Sequence, residues 1–395
     1  MKTLYESLLD DDLIGKTDKM IKDEIKAFLK ENYTGVSLCK ISRKPNSDGK
    51  YEVSSPKHIE VKNNNITSLT NGMFIWTTVD GHFNCSHCIR LESLEGAPEK
   101  VEGGFYCIGC DNLISLEGAP KEVGEKFNCA NCRSLKTLKG APKVVEKDFD
   151  CSECNSLKSL EGAPEKVGRD FSCTDCKSLK SLEYAPKEVS GDFDCSYCDS
   201  LKLLEGAPKK VGKSFYCSMC NYLESLKGAP EKVGGDFNCS YCDSLNSLEG
   251  APKEVGRDFY CSVCPPLKSL EGAPKEVGRD FYCSRCIHLE SLECAPEKVG
   301  RDFYCNNCDS LTSLEGAPKK VGGDFSCVSC RSLKTLKGAP QIVNGDFRCY
   351  NCNSLKSLEG APKEVGGDFS CYGCASKFTI KDVKKISNVK NNILC

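Results

Sequence analysis

The chain has 395 residues, of which 31 are cysteine and 34 glycine, and its formal net charge is −2. That balance carries no bias toward nucleic acid or a membrane surface, and no stretch approaches the roughly eighteen apolar residues of a membrane span. Cysteines at this frequency and evenly spaced glycines point instead to an internal repeat, which has to be sought before any element is assigned.

In chain order, the opening Met1 to Asp12 is acidic where a secretion signal needs a basic start and an apolar run. Cys395 stands where a prenylation box cannot use it. The expectation is a cytoplasmic protein whose thiols stay reduced. Residues 1–14 read as a separate peptide, with Leu4, Tyr5, Leu8, Leu9, Leu13 and Ile14 beside Asp10, Asp11 and Asp12. It is either a loose tail or a docking peptide. Residues 15–58 read as a small α+β cap. The spacing of Met20, Ile21, Ile25, Phe28 and Leu29 predicts an amphipathic helix over 17–32, and two strands are expected in 36–53 around the Pro45–Gly49 turn.

From Phe83 to Phe369, fourteen phenylalanines fall at intervals of 22 without an insertion, each followed by Cys at +2 and Cys at +5. These pairs, from Cys85/Cys88 to Cys371/Cys374, leave only Cys39, Cys294 and Cys395 outside. One unit runs Phe237, Cys239, Cys242, Leu245, Leu248, Gly250-Ala251-Pro252, Val255. Phe and Cys two apart share one face of a short strand. Leu245, Leu248 and Val255 line the other walls, and Gly250-Ala251-Pro252 marks a corner. A single coil cannot bury its apolar side, so coils must stack like on like.

The stretch Val-x-x-x-Phe-x-Cys-x-x-Cys-x-x-Leu resembles the leucine-rich-repeat frame in its cysteine-containing form, with the second cysteine at the Asn/Cys place. The continuation Leu-x-Ser-Leu-Glu-Gly-Ala-Pro-x-x-Val is similar to short bacterial leucine-rich repeats. The opening and the Ser-Leu-Glu-Gly-Ala-Pro strings resemble short stretches in proteins of large tailed phages from gut bacteria, which implies a host cytoplasm or a virion as the setting. The fold expected is a leucine-rich-repeat-like solenoid with a continuous parallel sheet over residues 59–376. It begins with a degenerate coil in which Ile59, Val61 and Asn64 take the Phe, first Cys and second Cys places. Residues 377–395 form the closing cap, with a helix expected over Thr379–Asn391 that turns Ile380, Val383, Ile386 and Val389 inward.

The Cys-x-x-Cys pairs admit three readings. Buried reduced thiols fit the inward register, since Val61 and Asn64 replace them without needing a metal. Zinc or iron–sulfur sites built from adjacent coils, such as Cys239, Cys242, Cys261 and Cys264, are the alternative, although no basic residue recurs beside the pairs to offset the charge. Disulfides are the third: stacked cysteines satisfy the Cα separation, but their parallel side chains sit farther apart at Cβ than a disulfide prefers.

Function on such a frame is sought where residues vary, at Phe+1 and Phe+4, whose side chains are expected on the strand face. An aromatic section there contains Tyr197, Tyr216, Met219, Tyr241, Tyr260, Tyr282, Arg285 and Tyr304. Tyr, Met and Arg are common interface anchors; the alternative for the tyrosines is that they are plain β-formers stacked along a ladder. His58, His82, His87 and His288 form no catalytic constellation, and there is no phosphate loop or nucleophile signature. The reading is a non-enzymatic scaffold holding a protein or glycan ligand, without nucleic acid or membrane and with self-association open through its caps. A zinc-binding rod is the alternative.

Overall fold

The computed structural model describes residues 18–395, so the 1–14 peptide lies outside the described residues. The chain forms two units, one running to Cys154 with Gly162–Pro164 and the other comprising Asn155–Glu161 and Glu165–Cys395. Each is a parallel β-solenoid of 22-residue coils, as the repeat predicts.

A coil contributes two strands of two residues each. In the second unit Phe237–Asn238 lies between Phe215–Tyr216 and Phe259–Tyr260, Phe against Phe. Glu254–Val255 lies between Lys232–Val233 and Glu276–Val277, Val against Val. The first unit repeats the pattern, with Phe105 between Phe83 and Phe127 and Val123 between Val101 and Val145. The valine strands form a second sheet that the sequence reading did not assign. They are one-in, one-out dipeptides: the valine is buried and its Lys or Glu faces water. On the outer side those residues pair across coils, as in Lys232–Glu254 (2.6 Å) and Lys298–Glu276 (2.6 Å). At such exposure each pair adds little stability.

Between the sheets, every repeat Phe, both Leu and nearly every paired Cys has essentially no solvent exposure. Phe rings stack coil on coil with centroids 5.3–5.7 Å apart in the first unit and 5.1–5.7 Å in the second. Two glycine columns permit this approach. Gly250 turns the corner at φ 89°, where an L side chain is strained. Gly256 has ordinary φ, but a Cβ there would overlap the Gly234 carbonyl oxygen of the coil before.

The first unit is closed by α1 (Asp18–Asn32), which buries Ile21, Ile25 and Leu29 at spacings of four. Tyr33 and Trp76 set their rings against Phe83, at 6.2 and 6.0 Å, and so cover the end of the Phe stack. The expected hairpin is present as Lys40–Ile41 antiparallel to Tyr51–Ser55. Ile59 pairs with Phe83, as its place in the repeat requires. Asn64 departs from expectation: it is exposed, and Ile66 turns inward instead. The shorter spacing from Asn64 to the next apolar residue thus swings the amide out of the ladder.

At the other end the expected helix is cut short. α2 (Ile380–Lys384) starts with a Thr379–Asp382 capping box and buries Val383, while Ile380 and Ile386 are exposed. The chain then re-enters the coil geometry. Asn388–Val389 pairs with Glu364–Val365, and Ile393–Leu394 pairs with Phe369–Ser370. Open strand edges offer more hydrogen bonds here than further helix, which Ser387 and Asn388 disfavour.

Candidate interaction surface

The paired cysteines face inward and are linked coil to coil. Second thiols in most coils donate to the carbonyl of the first cysteine one coil earlier: Cys110 to Cys85 (3.2 Å), Cys242 to Cys217 (3.3 Å), Cys264 to Cys239 (3.4 Å) and Cys308 to Cys283 (3.3 Å). Several first thiols donate forward, as Cys239 does to the Tyr260 carbonyl (3.2 Å). These bonds need the proton on sulfur. Burial pushes the Cys242 thiol up to about 12, and burial together with the neighbouring thiols raises Cys239 and Cys261 well above the usual range. The Cys239, Cys242, Cys261 and Cys264 set therefore occupies consecutive rungs of a thiol–carbonyl ladder. Among the described residues no group of three or more His, Cys, Asp or Glu is arranged around a common metal position.

The residue before each Phe forms a second column. In the second unit it is mostly aspartate, and each Oδ1 accepts the backbone N–H of its counterpart one coil on: Asp258 from Asp280 (3.0 Å), Asp280 from Asp302 (3.0 Å), Asp302 from Asp324 (2.7 Å). The stacked carboxylates are offset by cations. Arg279 lies 3.9 Å from Asp258, Arg301 3.8 Å from Asp280, and Arg348 spans Asp324 and Asp346 at 2.7 and 2.6 Å. In the first unit His58 and His82 hold this place. Their rings stack at 4.5 Å, and each Nδ1 accepts a backbone N–H, from His82 (2.8 Å) and Gly104 (2.6 Å). These two histidines are thus backbone caps.

This column engages the Phe+1 tyrosines. Tyr260, Tyr282 and Tyr304 stack with centroids 4.7 and 5.0 Å apart, and their hydroxyls donate to Asp258, Asp280 and Asp302 at 3.1, 3.2 and 3.0 Å. Burial, then the Asp302 carboxylate, pushes Tyr304 up to about 12. Ring faces and hydroxyls are both used internally, so these three, like half-buried Tyr216 in the same column, present mainly ring edges outward.

The Phe+4 residues lie elsewhere than expected. They are not on the strand face but on the turn that follows it, and in all fourteen repeat coils they sit in the left-handed region, at φ 56–67°. The backbone reason is a ladder bond. Tyr241 N–H donates to the Ser262 carbonyl and Val263 N–H to the Ser284 carbonyl, both at 2.9 Å. Glycine or asparagine suits such a turn, and Gly109, Asn131, Asn307, Asn351 and Gly373 supply it in their coils. Five consecutive coils instead place Tyr197, Met219, Tyr241, Val263 and Arg285 there. Tyr197 and Tyr241 are 43% and 47% exposed. Sequence reasoning missed their neighbours just after the second cysteine, Tyr222 at 61% and Ile287 at 40% exposed, with Pro265 and Pro266 between. The available signal was that most other coils carry Asp, Asn, Lys, Arg or Ser at those places. Tyr197, Met219, Tyr241 and Arg285 thus share one turn strip, exposed at Tyr197, Tyr241 and Arg285 and half-buried at Met219, apart from the Tyr260–Tyr304 stack.

No family model and no curated protein sequence matches the chain. Among solved structures it is similar to a leucine-rich repeat protein from Bacteroides ovatus, at 13% identity over 90% of this chain and 98% of that one, with a TM-score of 0.43. It is also similar to the pneumococcal vaccine antigen PcpA, at 15% identity over 90% and 96%, with a TM-score of 0.29.

Proposed function

We propose that the chain is a non-enzymatic interaction scaffold that holds a protein partner along the turn strip from Tyr197 to Ile287. One observation carries the reading. Tyr197, Met219, Tyr241 and Val263 occupy four successive left-handed positions, at φ 56–61°, where five other coils use Gly or Asn and the remaining five use His, Glu, Asp, Arg or Ser. A β-branched or aromatic residue there costs about 1–2 kcal/mol, and Tyr197 and Tyr241 return little of it to the coil frame, being 43% and 47% exposed. Bulky apolar residues placed at such a cost in adjacent coils of a regular frame, two of them exposed and two half-buried, fit an interface. The mixed Tyr, Met, Val, Ile and Arg make-up of the strip suits a protein surface better than a glycan, and the Tyr260, Tyr282 and Tyr304 faces, which cover one another, add no sugar platform beside it. The setting proposed is the reducing cytoplasm, where the thiol ladder stays reduced. Among the described residues no helix is long and apolar enough to cross a membrane.

The test is affinity purification from the native host of the wild type and of a Tyr197, Met219, Tyr241 and Val263 fourfold Asn variant. A partner held by the wild type and lost by the folded variant supports the strip. Equal recovery of every partner by both contradicts it.

A further inference from the structure

The thiol ladder changes character at its last rung. First cysteines in several interior coils donate to the Phe+1 carbonyl of the next coil, as Cys283 does to Tyr304 (3.5 Å) and Cys305 to Ser326 (3.4 Å). Cys371 instead has its Sγ 3.4 Å from the Sγ of Cys395. Cys371 is buried, Cys395 is exposed, and the two lie on neighbouring parallel strands, with Cys371 N–H donating to the Leu394 carbonyl at 2.7 Å. The nearby Cys374 is turned away, donating to the Cys349 carbonyl at 3.2 Å. We infer that Cys371 and Cys395 are a disulfide-forming site that fastens the final coil to the rest of the second unit.

The interior rungs cannot do this, because both thiols of each pair are buried from any oxidant and most are directed at carbonyls. Here one partner is accessible. The exposed Cys395, as thiolate, attacks a low-molecular-weight disulfide, forming a mixed disulfide and releasing one thiolate. The Cys371 sulfur then attacks the Cys395 sulfur and displaces the second thiolate, and the Cys371 proton and one from solvent neutralise the two leaving groups. Two protein thiols and one small disulfide give one protein disulfide and two small thiols. Burial raises Cys371, with the neighbouring Cys395 thiol adding to it, so the second step is the slow one. The closed loop holds both final strands and α2. Left reduced, this coil is held by short strands under the exposed Ile380, Ile386 and Leu394. Closing a loop of this size slows its opening about a hundredfold.

Treating the full chain with oxidised glutathione, then mapping peptides by mass spectrometry under non-reducing conditions, tests this. The expected product is a Cys371–Cys395 crosslink lacking two hydrogens. Amide exchange over 388–394 then slows about a hundredfold and recovers on reduction with dithiothreitol. Cys371→Ser is expected to stop at a glutathione adduct on Cys395, and Cys395→Ser to form neither product. A wild-type chain that ends at the glutathione adduct without going on to the crosslink, pairs Cys395 with Cys374 or Cys294, or forms the crosslink without a change in exchange overturns the inference. The wild-type mapping stands even if either variant fails to fold.

Discussion

Replacing Val263 with Asn separates the two roles assigned to the turn. At φ 56° a β-branched side chain is strained by about 1–2 kcal/mol, a strain Asn largely avoids. The backbone bond to Ser284 is unaffected by the exchange. Against the relief stands the half-buried isopropyl group, whose partial return to water costs roughly 0.5–1 kcal/mol. The net is a stabilisation of about 0.5–1 kcal/mol, or a rise in Tm of about 1–4 °C for a body of this size. Differential scanning calorimetry of the full chain reads it, alongside partner recovery, which should fall. A loss of 1 kcal/mol or more, on the order of a single core contact, would refute the reasoning, because it would mean that Val263 is there for packing.

Other substitutions probe the ladders. Cys242→Ala removes the bond to Cys217 and leaves a buried carbonyl unpaired, so it should cost about 2–4 kcal/mol in chemical denaturation. Cys242→Ser, which keeps a donor, should cost about half as much, and an Ala variant as stable as Ser would show that the thiol acts only as a small hydrophobe. Tyr282→Phe frees Asp280 of its hydroxyl donor and should cost about 1 kcal/mol without changing partner recovery; lost recovery at intact stability would place the interface on the tyrosine stack. Alkali should unfold the chain in a defined direction. With burial raising Cys242 from an ordinary 9.0 to about 12, its neutral form contributes fully below about pH 9, and that stability is lost as the pH rises toward 12. By about pH 10 this thiol alone forfeits roughly 1.4 kcal/mol, and the other raised thiols add with the same sign. A denaturation midpoint that stays flat from about pH 8 to 11 contradicts the assignment.

The sequence made the coil legible wherever a residue type is demanded in every repeat. Phe at 22-residue intervals fixed the register of the first sheet, and Ile59 was placed correctly because its side chain is interchangeable with Phe. The valine sheet was hidden because a strand of two residues, such as Glu254–Val255, is too short to alternate. The aspartate column was visible as Asp at Phe−1, yet its use, capturing a backbone N–H from the next coil, depends on stacking that one repeat does not display. The left-handed turn was signalled by Gly109, Asn131 and Gly373 but masked by Val263, Tyr241 and Met219, which contradict local preference where a partner is the proposed reason. At the C-terminal end helical spacing from Ile380 to Val389 gave way to strand pairing, because an unpaired sheet edge outweighs a weak amphipathic pattern.

The claim beneath all of this is that the Cys-x-x-Cys pairs are packing, with their protons on sulfur, which leaves function to the turn strip. A thiol count on the native protein by an aromatic disulfide reagent, with metal analysis of the same sample, tests it most directly. The account predicts prompt reaction of the exposed Cys294 and Cys395, slower reaction of the half-buried Cys39 and Cys374, a further slow release as Cys371 closes on Cys395, and reaction of the other repeat thiols only on unfolding, with no zinc or iron retained. Stoichiometric metal whose removal unfolds the chain, or repeat thiols that react promptly in the folded protein, would contradict it.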